Sequence, residues 1–411
     1  MALTVLYGGN VLDLDRGVLL ENHHVVIENE RIVEVSERPV RFPEARLLNV
    51  SGKTVMPGLI DCHVHVLASN ANLGLNALQP NTLTAIRALP ILRAMLMRGF
   101  TSVRDAGGAD WGLARAVEMG LVPGPRIFPS GKALSQTGGH GDFRLRGDLI
   151  EPCSCCFRAG AIARVVDGVD AVRLAVREEL QKGATQIKIM ASGGVASPID
   201  PIGNTQYSLE EIQAIVAEAS AAQTYVMAHA YTPQAIERAV RCGVRTIEHG
   251  NLVDEATAVL MRTQAAFVVP TLITYDALAA HGSTFGLPPE SVAKIDVVRA
   301  AGRASLEIYA RAGVPMGFGS DLLGEMHHLQ SEELRIRAEV LGNLEALRSA
   351  TTVAAEILQC GAQLGTLAAG ALADVLVLDG NPLQDIDVLA GQGERVEYVL
   401  QRGRLVKGGA S

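Results

Sequence analysis

Two histidines, His63 and His65, lie one residue apart in the segment DCHVH at 61–65, directly after an apolar run. Because side chains alternate along a β-strand, both imidazoles point to the same side, where they can bind a single metal ion. Paired histidines also occur in sheets that hold no metal. The pair therefore predicts a metal site only if other parts of the chain supply further ligands.

A single lysine, Lys188, interrupts the apolar segment IKIM at 187–190. Burial disfavours the ammonium form of a lysine and lowers its pKa. A neutral amine can react with carbon dioxide to give a carbamate, whose two oxygens can bridge two cations. A lysine that reaches the end of its strand to meet a carboxylate is the alternative, and the segment by itself leaves both open.

Three further candidate ligands stand at the ends of predicted strands, namely His229, His249 and Asp321. In a β/α barrel the carboxyl ends of the strands form the catalytic face. Taken singly, such a histidine is more commonly an ordinary polar residue, and such an aspartate commonly caps the next helix. The chain has only 10 histidines, yet four of them fall at predicted strand ends beside one lysine and one aspartate. Together they predict a metal centre of nitrogen and oxygen donors, which suits Zn²⁺ better than Mn²⁺, Fe²⁺ or Co²⁺.

The elements that would position these residues are short apolar strands that alternate with amphipathic helical stretches, the pattern of βα units. Eight strands are predicted, at 55–65, 101–106, 126–130, 186–191, 225–229, 245–249, 267–272 and 315–320. Eight such units favour an α/β fold closed into a (β/α)8 TIM-like barrel. A doubly wound open sheet is the main alternative, because a count of strands does not prove closure.

The two ends of the chain carry β-like runs and turn signals instead of βα units. We predict that residues 1–53 and 366–411 together form a small β-sandwich side domain, and that residues 54–365 form the barrel. A polar turn at 51–53 opens the central region, and a glycine-bounded segment at 361–370 closes it.

Composition limits the partners of the chain. The 411 residues include 36 basic and 44 acidic side chains, a formal charge of -8 that gives no footprint for nucleic acid or anionic lipid. No apolar run reaches the length of a membrane span, and no targeting signal is visible. Six scattered cysteines favour a reducing, cytoplasmic compartment, and the cluster Cys153 to Cys156 is interpreted as loop thiols instead of a structural metal site. A small-molecule substrate is expected.

With these residues in order, the chain resembles the amidohydrolase superfamily of metal-dependent hydrolases. The resemblance runs from PGLID at 57–61 to ADVLV at 373–377, which is nearly the whole length. It implies two divalent metal ions, with Zn²⁺ the expected metal. His63, His65 and Asp321 would hold one ion, His229 and His249 the other, and an N-carboxylated Lys188 would bridge them.

Three segments resemble one branch of that superfamily more closely. They are SQTGGHGD at 135–142, KIMASGGV at 188–195 and HAYT at 229–232, and the branch contains bacterial Xaa-Pro dipeptidases, carboxypeptidase-like enzymes and ochratoxin-hydrolysing relatives. The resemblance implies cleavage of the amide bond of dipeptides or N-acyl amino acids, including ochratoxin-like N-aroyl phenylalanine. It also implies a homo-oligomer.

A site of this kind suits hydrolysis by a hydroxide that bridges two metals. Asp321 could act as general base and then general acid. His140, in a glycine-rich loop, could donate a hydrogen bond to the developing oxyanion, and Tyr231 could do the same or hold a substrate carboxylate. Two alternatives stay open: the same site acting on a lactone, cyclic amide or ester, and a barrel scaffold without catalysis.

Overall fold

The computed structural model describes residues 3–38, 44–144, 158–197, 199–284 and 289–408. In that part of the chain, strands at both ends surround a central region of alternating strands and helices. The strands are β1 (Leu3–Asp13), β2 (Val18–Glu28), β3 (Arg31–Ser36), β4 (Arg46–Asn49), β5 (Thr54–Pro57), β6 (Leu59–Val64), β7 (Phe100–Asp105), β8 (Arg126–Pro129), β9 (Ala133–Ser135), β10 (Ala163–Val165), β11 (Ile187–Met190), β12 (Val226–Ala230), β13 (Thr246–His249), β14 (Phe267–Val269), β15 (Val375–Leu378), β16 (Val396–Gln401) and β17 (Arg404–Lys407).

The helices cover the outside of the central region. They are α1 (Leu73–Ala77), α2 (Asn81–Met97), α3 (Trp111–Glu118), α4 (Val169–Gln181), α5 (Leu209–Ala221), α6 (Pro233–Arg241), α7 (Glu255–Thr263), α8 (Leu272–His281), α9 (Pro289–Ala312), α10 (Glu332–Leu341), α11 (Asn343–Ser349) and α12 (Thr352–Ile357). Local sequence explains where several of them begin. The Ser208 hydroxyl and the Glu211 carboxylate form a capping box at α5, and Thr232 caps α6 just before Pro233.

The central strands form a closed barrel, as the sequence predicted. Strands β6, β7 and β8 are parallel neighbours, and so are β11, β12, β13 and β14. The amide of Thr185 donates to Pro129 O at 2.8 Å and connects β8 to β11. The eighth predicted strand, 315–320, is not a regular strand in the structure and has only an isolated bridge between Met316 and Val268. It still joins both ends of the barrel: Gly317 N donates to Val268 O and Cys62 N donates to Phe318 O, each at 2.8 Å.

One predicted strand proves to be two. The structure divides 55–65 at Gly58, with β5 on one side and β6 on the other. A Cβ atom at Gly58 would lie 2.1 Å from Thr101 Oγ1, so the chain passes closer to β7 here than a side chain would allow. The predicted strand at 267–272 is also shorter, because α8 begins at Leu272. Strands β9 and β10 were not predicted.

Both ends of the chain build one eight-stranded sheet beside the barrel. Its strand order is β17-β16-β15-β5-β1-β2-β3, with β4 paired to β1. Strand β5 therefore pairs within this sheet, between β1 and β15, although the sequence assigned residues 54–57 to the barrel. The domain boundaries drawn at 53 and 366 stay predictions.

The barrel and the sheet are held by several apolar clusters. One lies between barrel strands and outer helices, and another lies inside the terminal sheet around Val25, Ile27 and Val375. Among the described helices, none is long and apolar enough to cross a membrane. The Cys153 to Cys156 cluster lies outside the described residues.

Candidate metal centre

The barrel gathers the six predicted ligands at one end. Their positions are His63 on β6, His65 just after it, Lys188 on β11, His229 on β12, His249 at the end of β13 and Asp321 after the 315–320 segment. The histidines and the lysine are buried, while the Asp321 side chain keeps 20 % of its surface exposed. The site is thus closed except near that carboxylate.

The carboxylate of Asp321 is the centre of the cluster. Its Oδ1 atom lies 3.3 Å from His65 Nε2 and 3.5 Å from His63 Nε2, and its Oδ2 atom lies 3.9 Å from His249 Nδ1. His63, His249 and Asp321 each offer a ligand atom, and these three atoms lie within 4.8 Å of one another. This spacing is short enough for the three groups to belong to one metal centre.

His229 adjoins this group through its ring. The ring centroids of His229 and His249 are 4.6 Å apart, and His229 stacks on His140 at 4.1 Å. The Nε2 atom of His229 lies 3.2 Å from Gly193 O. The barrel therefore places His229 between the His249 and His140 rings.

Lys188 is enclosed in the barrel interior. Burial lowers the pKa of its amine to about 8, although Glu248 and Asp321 oppose that shift with their negative charges. A pKa near 8 leaves about a tenth of such amines neutral at pH 7, and only the neutral form reacts with carbon dioxide. The environment of Lys188 fits the predicted carboxylation.

The protonation states of His63, His229, His249 and Asp321 also fit metal ligands, which must be neutral imidazoles or ionised carboxylates. Burial lowers the pKa of His63 and His229 well below the ordinary value, and that of His249 to about 3. Burial alone would raise the pKa of Asp321, but the adjacent histidines outweigh it and the pKa falls. His65 is the exception: burial lowers its pKa, but its hydrogen bonds to Asp321 and Gly107 and the negative charges of Asp321 and Asp105 together outweigh burial, so that its pKa is raised.

Two of the candidate ligands have left-handed backbone conformations. The φ angle is 72° at His249 and 49° at Asp321. His249 follows Glu248, whose side chain lies inside the barrel, so regular alternation would turn the imidazole outward. The left-handed turn at the end of β13 lets consecutive side chains both face the interior. Such conformations concentrate at functional sites.

A buried ion pair supports His63 from behind. Glu248 Oε2 accepts a hydrogen bond from His63 Nδ1 at 2.6 Å. The same carboxylate accepts two bonds from Arg104 Nη2, at 2.9 and 3.1 Å. Because Glu248 binds Nδ1, the Nε2 atom of His63 is left to face Asp321 and a cation. Sequence reasoning missed both residues, although Arg104, like Lys188, is a basic residue inside a predicted strand.

The two predicted substrate-facing residues lie against the histidine cluster. His140 Nδ1 lies 2.8 Å from Ser197 Oγ, and its ring approaches Gly194 so closely that a Cβ there would be 2.2 Å from His140 Cε1. The Tyr231 hydroxyl is 2.8 Å from that of Tyr275. Gly193 and Gly194 both allow close approaches here, because a Cβ at Gly193 would collide with Pro201 O and one at Gly194 would collide with the His140 ring.

The chain is similar in sequence and in fold to several known proteins. Residues 54–406 match the amidohydrolase family. An ochratoxinase of Aspergillus niger is 34% identical over 371 residues, covering 86% of this chain and 76% of that protein. A crystal structure of a prolidase complexed with N-methylphosphonate-L-proline has 78% identity and a TM-score of 0.98, covering 99% of this chain and 100% of the other. A Xaa-Pro dipeptidase with bound methionine in its active site has 29% identity and a TM-score of 0.89, covering 99% and 100%.

The closed β/α barrel, with histidines and an aspartate at its strand ends, has the architecture of a metal-dependent barrel hydrolase. Together with the match over residues 54–406, this shows that the chain belongs to the amidohydrolase family. The branch expected from the sequence is confirmed by the ochratoxinase and dipeptidase relatives. The protein is a hydrolase that acts on amide or peptide bonds.

Proposed function

We propose that this enzyme is a binuclear metallopeptidase that cleaves Xaa-Pro dipeptides, with N-acyl amino acids as a related class of substrate. The observation that carries the proposal is the convergence of His63, His65 and His249 on the Asp321 carboxylate, next to a buried Lys188. Proline at the leaving side is supported by the prolidase that is 78% identical to this chain and binds N-methylphosphonate-L-proline.

The metal part of the proposal assigns His63, His65 and Asp321 to one ion, His229 and His249 to the other, and an N-carboxylated Lys188 to both, with zinc as the metal. The lowered pKa values of His63, His229 and His249, an ionised aspartate and a lysine with a pKa of about 8 make a donor set suited to that assignment. Two divalent cations bound there would supply Lewis acidity, which polarises a scissile carbonyl and lowers the pKa of water.

Asp321 is proposed to move the proton of the reaction. Like any aspartate it is a carboxylate at neutral pH and can accept a proton, and its lowered pKa favours passing that proton on. Its side chain is the partly exposed member of the cluster, which gives it access to both the attacking water and the leaving nitrogen. After accepting the proton, it delivers that proton to the proline nitrogen as the amide bond breaks.

His140 and Tyr231 are proposed to bind the substrate. Because the Ser197 hydroxyl donates to Asp200, His140 Nδ1 donates to Ser197 Oγ, and the Nε2 atom is the ring nitrogen left for the developing oxyanion, to which it donates when the ring is an imidazolium. Tyr231 lies 5.3 Å from His249, ring to ring, and its hydroxyl can hold the oxyanion or the substrate carboxylate. The proposal also keeps two expectations from the sequence, a homo-oligomer and a cytoplasmic location.

N-acyl aromatic amino acids are a second candidate substrate class, favoured by the ochratoxinase that is 34% identical over 371 residues. Both classes present an amide followed by a free carboxylate, so the same centre serves either one. They differ in whether the leaving nitrogen is secondary, as in proline, or primary.

The test combines metal analysis with a substrate screen. Purified protein should retain two metal ions per chain and cleave Xaa-Pro dipeptides faster than Xaa-Phe dipeptides, N-acyl phenylalanine or lactones. Lys188→Ala should lose both metal and activity, whereas Lys182→Ala, which removes an exposed lysine at the end of α4, should keep both. An active Lys188→Ala protein free of metal would refute the binuclear proposal, and turnover of lactones alone would refute the peptidase proposal.

A further inference from the structure

A lysine from an outer helix reaches the loop that holds His140. Lys294, on α9, places its Nζ atom 2.9 Å from Gly194 O, 2.8 Å from Ser197 O and 2.7 Å from Asp200 O. A lysine ammonium has three hydrogen-bond donors, so this one loop can use all of them. The loop follows β11, and we call its described residues, 192–197 and 199–206, the β11 loop.

The same loop contacts the His140 ring and holds it in place. Ser197 Oγ lies 2.8 Å from His140 Nδ1, and Asp200 Oδ2 lies 3.6 Å from that nitrogen. Gly194 lies against the ring, with its amide donating to Asp200 Oδ2 at 3.1 Å. All four contacts depend on the position of the loop backbone. Glycine, serine and aspartate have short side chains, which cannot keep these contacts if the main chain moves.

Three carbonyl oxygens that converge on one point repel one another unless a positive group lies between them. The Lys294 ammonium occupies that point, and Asp200 Oδ1, at 4.0 Å, adds a negative charge on the same side. The side chain is mostly covered, with 17% of its surface exposed. The arrangement resembles the way backbone carbonyls hold a monovalent cation, with the cation supplied by the protein itself.

We propose that Lys294 is a positioning residue whose ammonium fastens the β11 loop and thereby sets the position of His140. The predicted effect on catalysis rests on the proposed function, whereas the predicted effect on the loop does not. Lys294 itself does not contact the reacting atoms. Its expected effect on the enzyme is to change the position of the His140 imidazole.

The decisive experiment is chemical rescue. Lys294→Ala removes three carbons and the ammonium, which together correspond to n-propylammonium. Because His140 would act on charge that develops in the transition state, the variant should lose kcat by about 10- to 100-fold, with KM little changed. Added n-propylammonium should restore kcat, and tetramethylammonium, which has no N–H donor, should not. Lys294→Met retains an apolar stem for folding and should lose kcat without any rescue.

A second measurement is independent of catalysis. Hydrogen exchange followed by mass spectrometry should show faster exchange of the β11 loop in Lys294→Ala, with n-propylammonium restoring protection. Lys407→Ala is the matched control, because Lys407 also donates to two backbone carbonyls, Met97 O and Gly393 O, but lies in the terminal sheet. It should change neither kcat nor exchange of the loop.

The outcomes separate this inference from the proposed function. Unchanged exchange of the β11 loop in Lys294→Ala would overturn the inference even if the wild type cleaves no dipeptide. Equal rescue by tetramethylammonium would also overturn it, because that result would show an effect of ionic strength. Faster exchange with rescue by n-propylammonium, in a protein with no peptidase activity, would support the role of Lys294 in fixing the loop and refute the proposed substrate.

Discussion

The sharpest stability prediction concerns Glu248. Changing Glu248→Gln keeps the shape of the side chain but removes the charge that faces Arg104 and His63. Arg104 would be left as a fully buried guanidinium without a charge partner, since its other contacts are to Cys62 O, Thr246 and Tyr225. Removing one partner of a buried ion pair costs about 3–5 kcal/mol of unfolding free energy.

The same change should weaken metal binding. The glutamine amide would present N–H groups to either His63 Nδ1–H or Arg104, so one of these donors would lose its acceptor. Loss of a group that orients a metal ligand typically costs about 10- to 100-fold in metal affinity. That range corresponds to about 1.4–2.7 kcal/mol.

The assay has two parts, urea unfolding of the metal-stripped protein and competition of a chelator for the loaded metal. The control is the double variant Arg104→Met with Glu248→Gln, which removes the stranded charge and should recover part of the stability but not the metal affinity. If Glu248→Gln unfolds within about 1 kcal/mol of wild type and binds metal equally well, the supporting role assigned to Glu248 is wrong.

Three further predictions follow from the site. The pKa of Lys188 is about 8 in the folded protein and 10.5 in the unfolded chain, so between these pH values only the unfolded chain keeps the proton. The unfolding free energy of the metal-stripped protein should therefore rise as the pH increases from about 8 to 10.5. Urea midpoints measured for Lys188→Met should lack that rise. Gly194→Ala should displace His140 and reduce kcat about 100-fold with metal content unchanged, as measured by kinetics and metal analysis. Tyr231→Phe should lower kcat/KM about tenfold, because the hydroxyl proposed to bind the substrate is removed. The thermal midpoint should change by no more than a few degrees, because the only interaction lost within the fold is the hydrogen bond between Tyr231 and Tyr275.

The barrel was predictable because each strand has its own local pattern. Short runs rich in apolar residues, with a basic residue inside the run or at its carboxyl end, identified β11, β12 and β13 without knowledge of the fold, and with them Lys188, His229 and His249. The division of 55–65 into β5 and β6 was not predictable, because both parts are equally apolar and only the contact of Gly58 with β7 separates them.

The groups that support the site were missed for a different reason. Glu248 and Arg104 are 144 residues apart, and their pairing exists only once β7 and β13 face each other inside the closed barrel. Lys294 has no sequence signal at all, since a lysine on a long helix is usually solvated. Its role depends on the path of the β11 loop, which no local pattern encodes.

The junction between barrel and terminal sheet has a consequence for synthesis of the chain. Strand β5 pairs with β1, made early, and with β15, in which Val375 faces Pro57 and Leu378 faces Thr54. During synthesis, more than 300 residues must therefore be added after β5 before β15 can cover its second edge. A truncated product that ends before β15 would contain every candidate metal ligand but would leave that edge of β5 exposed to other nascent chains. Such a product should aggregate although its catalytic residues are all present.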